Sequence, residues 1–172
     1  MACIAIVVPA SAAGAATAPP KWATAVCGAV NGWVTSVAKA ADLATATVPE
    51  SAASVKKTLG KLLASTVKST AAVRKKLAKA GVPGVPDGKQ IAATVKEGFR
   101  QVDGALKQAK KSVAAAAATD PAAFTATVRG VQDALESGLE GLQAAFSATR
   151  DADATALITA FSRTRSCTAL TA

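Results

Sequence analysis

Residues Trp22 to Trp33 read WATAVCGAVNGW, a stretch that contains both tryptophans of the chain and one of its three cysteines. Apolar side chains recur here in steps of four and three, which places them on one face of an α-helix. Cys27 lies beside this apolar stripe. The helix is expected to end near Pro49, because the residue before a proline is disfavoured in helical conformation. The stripe consists of Trp22, Val26, Val30, Trp33, Val37 and Ala41.

Three further segments have the same helical pattern. Apolar stripes run through residues 55–77, 91–113 and 124–146, and a shorter one through residues 157–161. The loop GVPGVPDGKQI separates the second segment from the third, and its Asp87 followed by Gln90 resembles a capping box at the start of the third helix. Asp120, which precedes a proline, either caps or precedes the fourth helix.

These segments predict the fold class. The chain of 172 residues is long enough for one domain with a core. A single amphipathic helix is marginally stable in water, so the apolar stripes are expected to face one another. The sequence therefore predicts an all-α fold, an up-and-down bundle of four main amphipathic helices plus a short C-terminal helix. Six glycines inside these helices indicate either close helix packing or a loose bundle: Gly60, Gly98, Gly104, Gly130, Gly138 and Gly141.

The first twenty residues differ from the rest because they contain no charged side chain. An apolar run, Cys3 to Val8, precedes two A-x-A cleavage patterns at residues 10–12 and 13–15, as in a signal peptide that lacks its basic n-region. We expect residues 1–20 to be a signal peptide or disordered leader and residues 21–172 to form the domain. A disordered tail and an uncleaved anchor are the alternatives. Export would make the protein secreted or associated with the cell envelope.

Export also changes the cysteine count. Removal of the leader takes Cys3 and leaves Cys27 and Cys167, an even pair in an oxidising compartment. We expect these two to form a disulfide that closes the bundle, with the C-terminal segment packed across the first helix; two buried free thiols are the alternative. The chain contains no histidine and no CxxC motif, which disfavours a zinc site and a thiol–histidine nucleophile.

The net charge of +9 is unevenly distributed. Residues 51–111 contain fourteen Lys and Arg against three acids, whereas residues 120–153 contain six acids against two Arg. Lys56 and Arg74 lie at the edge of the apolar arc of the second helix, where long side chains can reach solvent. Six other lysines lie on its opposite side and form a candidate polyanion or lipid face: Lys57, Lys61, Lys68, Lys75, Lys76 and Lys79.

A basic face of this kind can attract polyanions. Anionic lipid or a cell-wall polymer fits an exported protein. Nucleic acid is disfavoured because no aromatic side chains interleave with the lysines for base stacking. The alternative is that the lysines form a solvated face that neighbours the acidic fourth helix.

No pattern in the sequence indicates catalysis. Asp133, Glu136 and Glu140 have the spacing of a carboxylate cluster, but this is also the spacing of a solvated helix face, and no histidine accompanies them. The loop that ends in Gly88 and Lys89 lacks the first glycine and the Ser or Thr of a phosphate-binding loop. We therefore expect a non-enzymatic protein with no catalytic residue, no cofactor, no metal site and no small-molecule substrate.

The W…VC…V…W segment, the mid-chain loop GVPGVPDGKQI and the late cysteine in RSCTALTA together resemble small, exported, uncharacterised helical proteins of actinobacteria. The resemblance implies export and a helical fold, but no activity and no functional residues. The leading hypothesis is a helical bundle with a binding or structural role at the cell envelope. The alternative is an amphipathic coat protein similar to phasins or apolipoproteins, whose helices open and cover a lipid or polyanion surface.

Overall fold

The computed structural model describes residues 16–45, 51–117, 119–151 and 155–168. These residues are predominantly helical, contain no strand, and form a helical bundle, so the predicted all-α fold class is confirmed. Residues 1–15 of the predicted leader lie outside the described residues. The helices are α1 (Pro19–Thr45), α2 (Ala52–Ala80), α3 (Gly88–Ala115), α4 (Pro121–Asp151), α5 (Thr155–Arg163) and α6 (Arg165–Thr168).

Local side-chain chemistry explains where several helices begin. α1 starts with Pro19, whose missing N–H is no loss at the first helical position. The Oγ of Ser51 accepts a hydrogen bond from the N–H of Ser54 (3.2 Å) and caps α2. The carboxylate of Asp120 accepts two backbone N–H bonds of 3.0 Å from the first turn of α4, so this residue is a cap.

The capping box predicted at the start of α3 does not form. Asp87 does precede the helix, but its backbone is left-handed (φ 55°) and its side chain makes no capping hydrogen bond. Asp87 lies in a turn that is closed by a hydrogen bond from the N–H of Gly88 to the carbonyl of Val85 (3.1 Å). A Cβ at Gly88 would overlap the carbonyl oxygen of Pro83, so only glycine fits at the first position of the helix.

The main helix contacts follow the chain: α1 packs on α2, α2 on α3, and α3 on α4. α1 and α2 run in opposite directions, because Trp22 near the start of α1 contacts Gly81 after the end of α2, while Trp33 contacts Thr70. α5 and α6 return to pack on α1. Among the described residues, α4 makes its main contacts with α3, and the C-terminal helices cover α1 instead.

Most positions of the predicted apolar stripes whose burial is described lie in the core or against it, but Ile158 of the stripe 157–161 is exposed, and Val55 and Leu62 of α2 are only partly buried. In α4, Phe124 is buried, whereas the stripe positions Val131, Leu135, Leu139, Leu142 and Phe146 lie outside the described side chains. The largest buried side chains of α1, α2, α3 and α5 are Trp22, Val26, Val30, Trp33, Leu63, Val73, Leu77, Ile91, Val95, Phe99, Val102, Leu106, Val113 and Leu157.

A buried polar contact organises the centre of the core. The indole N–H of Trp33 donates to the Oγ1 of Thr70 (2.9 Å), and this hydroxyl donates to the carbonyl of Thr66 (2.8 Å). The same indole packs edge-on against Phe99, with ring centroids 5.6 Å apart. Every polar atom of this chain of contacts therefore has a partner, which is the condition for burying it without a large cost. The apolar pattern of the sequence did not identify either threonine as buried.

The predicted disulfide is present. Cys27 and Cys167 are bonded, with their Cα atoms 5.0 Å apart and 140 positions of sequence between them. The bond anchors α6 on α1, and next to it Phe161 of α5 packs edge-on against Trp22 at a centroid distance of 6.0 Å. Leu157 of α5 is fully buried in the main core. The C-terminal segment thus packs across the first helix, as the sequence predicts.

Close packing does not explain the helical glycines that can be assessed. A Cβ added at Gly60, Gly104 or Gly130 would meet no atom within 4 Å. These glycines lower the helix propensity, and no neighbouring atom occupies the space that a Cβ would take. They therefore reduce stability without a packing benefit.

Candidate anion-binding surface

The six lysines predicted on the polar side of α2 are all exposed. Five of them are separated by four, seven, seven and four residues, which places them within an arc of about 40° on a helix of 3.6 residues per turn. Together they span about 33 Å at 1.5 Å per residue. Lys76 lies at the side of this arc. We refer to the arc as the lysine row; it consists of Lys57, Lys61, Lys68, Lys75 and Lys79.

The core fixes the orientation of the lysine row. Leu63, Val73 and Leu77 lie on the opposite side of α2 and are buried against the neighbouring helices. Rotation of α2 about its axis would expose these side chains, at a cost of about 1.5–3 kcal/mol for each large apolar residue. The lysines are therefore presented on a helix that tertiary packing holds in place.

No acidic side chain of the described residues forms an ion pair with any of the six lysines. Residues 16–41 and 51–86, which include all of α2 and most of α1, contain no Asp or Glu. The acidic side chains Asp133, Glu136 and Glu140 are exposed on α4, whose main contacts are with α3. Within the described part of the chain, the positive charge of these lysines is thus not neutralised by an ion pair with a carboxylate.

Two other cations of α2 have structural partners, as their position at the edge of the apolar arc suggests. The Nζ of Lys56 donates to the carbonyl of Ala116 at the end of α3 (2.7 Å). Arg74 forms an ion pair with Asp103 (2.6 Å), whose same oxygen, Oδ2, also binds Lys107 (2.8 Å). Asp103 is 3% exposed, and its other oxygen has no partner among the described residues. These cations connect α2 to α3 and do not belong to the lysine row.

One exposed ion pair lies on α3. Arg100 donates two hydrogen bonds of 2.6 Å to Glu97, and these bonds hold the pKa of the Glu97 carboxyl below its ordinary value. The same contact raises the pKa of the Arg100 guanidinium. Both groups stay charged near neutral pH, so this pair neutralises itself.

A groove of about 490 Å³ opens between α1 and α2 at the C-terminal end of the lysine row. Three lysines line it, Lys21 from α1 and Lys76 and Lys79 from α2, and no carboxylate does. Small residues of α1 form part of the wall, among them Gly28. A Cβ at Gly28 would meet no atom within 4 Å and would therefore project into open space.

Hydrogen bonds from the segment before α1 fix the walls of this groove. The hydroxyl and the N–H of Thr17 donate to the carbonyls of Ala80 (2.9 Å) and Val82 (2.7 Å), and the indole N–H of Trp22 donates to that of Gly81 (3.3 Å). The carbonyl of Ala80, the last residue of α2, and those of the two residues that follow thereby gain donors that the helix itself cannot supply. As a result, the start of α1 is held against the end of α2.

The structure thus brings together only part of the predicted lysine face. Lys76 and Lys79 lie at the groove, whereas Lys68, Lys61 and Lys57 lie progressively farther from it along α2. Lys21 was missed by sequence reasoning, because it lies on a different helix and only the pairing of α1 with α2 brings it to the groove.

No three His, Cys, Asp or Glu side chains among the described residues are grouped so that they could hold a metal ion. Within the same residues, no helix combines the length and the apolarity needed to span a bilayer.

Comparison of the chain with protein-family models, with curated proteins and with solved structures found no match.

Proposed function

We propose that this chain is an exported, non-enzymatic helical bundle that binds a linear anionic polymer at the cell envelope along its lysine row. We further propose that its four main helices run up and down in sequence and that α5 and α6 close the bundle through the disulfide. The observation that carries the functional proposal is the lysine row itself. It consists of five exposed lysines over about 33 Å with no acidic partner among the described residues.

The electrostatics of α2 support binding over a merely solvated face. A solvated face that neighbours the acidic helix would place α4 against α2, yet among the described residues the main contacts of α4 are with α3. Lys61, Lys68 and Lys75 are seven residues apart, so successive ammonium groups are separated by about 10 Å along the helix. This spacing is slightly longer than the screening length of about 8 Å at physiological salt, so the repulsion between neighbouring ammonium groups is largely screened. An extended chain with regularly spaced negative charges can therefore interact with each lysine in turn.

The burial pattern favours a polymer over a lipid surface. A coat protein must present an apolar face to lipid, but Val34 and Ile158 are the large apolar side chains exposed in the described residues, at 43% and 45%. The large apolar side chains of the core cluster are buried, and the disulfide ties α6 to α1. Lipid binding would require opening of the bundle.

The coat protein similar to phasins or apolipoproteins remains the second candidate. One observation favours it: Val55, Leu59 and Leu62, in the first half of α2, are only partly buried. This half of the helix loses less apolar contact than the second half if it separates from the bundle and lies on an anionic membrane.

Two titrations of the oxidised chain, at physiological salt, separate these functions. Linear polyphosphate is the polymer probe, and vesicles that contain phosphatidylglycerol are the lipid probe. The proposal predicts binding of the polymer with unchanged helicity by circular dichroism. Flotation with vesicles accompanied by a gain in helicity would support the coat protein instead, and failure to bind either probe would contradict both.

A charge variant assigns polymer binding to the lysine row. A lysine near an anionic surface contributes about 1 kcal/mol, so Lys61→Gln/Lys68→Gln/Lys75→Gln should weaken polymer binding about 100-fold. The matched control is Lys89→Gln/Lys110→Gln/Lys111→Gln, which removes the same charge from exposed positions outside α2. Equal weakening by both variants would mean that only net charge matters.

A further inference from the structure

We infer that the groove between α1 and α2 is a binding site for a terminal phosphate group, held by Lys21, Lys76 and Lys79. The inference rests on the proposed function in one respect only, the source of the phosphate. We take this phosphate to be the terminal group of an envelope polymer that is bound along the lysine row. The site has chemistry of its own, because a groove with three ammonium groups and no carboxylate can bind a phosphate monoester without the rest of a polymer.

Charge and donor number favour a phosphate monoester over a carboxylate. A monoester carries a charge of about −1.5 to −2 near neutral pH and three acceptor oxygens, whereas a carboxylate carries one charge and two oxygens. The groove offers three ammonium groups, each with several N–H donors. Lysine binds phosphate as a point charge, so no fixed bidentate geometry is required.

The remaining polar groups of the groove already have partners. The hydroxyl of Thr17 donates to the carbonyl of Ala80, and the hydroxyl of Thr24 donates to that of Pro20 (2.8 Å). The ammonium groups are thus the side-chain donors left for a ligand. The same contact from Thr17 holds the two walls together, so the groove exists before the anion binds and little ordering cost is expected.

The groove is continuous with the lysine row. Lys79 belongs to both, and Lys75 lies one helical turn before it. A polymer whose terminal phosphate occupies the groove can therefore extend along α2 toward Lys68 and Lys61. In this arrangement the groove determines where the polymer begins, and the lysine row provides attraction along its length.

Gly28 makes the inference testable without disturbing the core. Its position is exposed and helical, and a side chain there would project into the groove. Gly28→Glu places a carboxylate beside the three lysines. Gly104→Glu is the matched control, because Gly104 is also exposed, helical and free of neighbours within 4 Å, but lies on α3. Thermal unfolding followed by circular dichroism checks that both variants fold.

The experiment is an NMR titration of the full oxidised chain with glycerol 3-phosphate, with acetate as the carboxylate comparison. We expect amide shifts centred on Lys21, Gly28, Lys76 and Lys79, with weaker response to acetate. Gly28→Glu should weaken phosphate binding by about tenfold or more, the equivalent of 1.4 kcal/mol, while Gly104→Glu should not. Equal binding by wild type and Gly28→Glu, or equal response to acetate and phosphate, would overturn the inference.

Two further arms identify the phosphate source and separate this inference from the proposed function. If Gly28→Glu loses binding to vesicles that contain phosphatidate but keeps its affinity for polyphosphate, the groove binds a lipid phosphate, and the polymer source is wrong. A second outcome is that the lysine-row variant no longer binds polyphosphate while Gly28→Glu binds glycerol 3-phosphate and polyphosphate as the wild type does. In that case the inference fails and the proposed function stands. If glycerol 3-phosphate binds in the groove but polyphosphate does not bind the chain, the proposed function fails and the groove stands.

Discussion

Removal of the bond between Cys27 and Cys167 should destabilise the bundle strongly. The two residues are separated by 140 positions, so the bond closes nearly the whole described chain into one loop. The chain-entropy model gives about 5 kcal/mol for a loop of this length at 25 °C. For a domain of this size, 1 kcal/mol corresponds to about 2–4 °C in the melting temperature. The variant Cys27→Ala/Cys167→Ala is therefore expected to melt about 10–20 °C below the wild type.

The assay is thermal unfolding followed by circular dichroism at 222 nm, together with limited proteolysis. The variant should be cleaved first near α5, because only non-covalent contacts, such as that of Phe161 with Trp22, then hold the C-terminal helices on α1. Wild type treated with a reducing agent serves as the control, since reduction breaks the same bond without a substitution. A loss below about 3 °C, which is less than 2 kcal/mol, would refute the reasoning that this bond constrains the unfolded chain.

Three other predictions concern the core, the helices and export. Gly60→Ala and Gly104→Ala should each raise the free energy of unfolding by up to about 1 kcal/mol, measured by urea denaturation, whereas Gly88→Ala should lower it because its Cβ would clash with the loop. Thr70→Val should cost about 1–3 kcal/mol in the same assay, because the indole N–H of Trp33 loses its buried acceptor; an unchanged midpoint would show that water replaces the hydroxyl. The intact mass of secreted protein should match cleavage at one of the two A-x-A patterns and the loss of two hydrogens; retained leader or free thiols would contradict this.

The helices and the disulfide could be predicted because they depend on the local spacing of apolar residues and on the number of cysteines. The apolar spacing from Trp22 to Trp33 requires only the geometry of a helix. The pairing of Cys27 with Cys167 is expected because these are the two cysteines that remain when the leader, with Cys3, is removed. The helix pattern agrees with the structure because it depends only on local spacing, and the cysteine pairing agrees because two cysteines allow one intramolecular pair.

The features that escaped prediction depend on contacts between helices. Thr70 is polar, and its burial becomes favourable only because the indole of Trp33 reaches it from α1. Lys21 belongs to the groove only because the start of α1 is bonded to the end of α2. Asp87 makes no capping hydrogen bond and has a left-handed backbone, in a loop turn that the spacing of Asp87 and Gln90 does not reveal. Sequence spacing carries no information about such pairings.

Lysine footprinting tests the central claim most directly. The oxidised chain is acetylated with and without linear polyphosphate at physiological salt, and the modification rate of each lysine is measured by mass spectrometry. Binding along α2 predicts slower acetylation of Lys61, Lys68, Lys75 and Lys79 in the presence of polymer, with unchanged rates at exposed lysines outside α2 such as Lys110. Equal protection of all lysines, or protection of none, would contradict the proposal that the lysine row binds an anionic polymer.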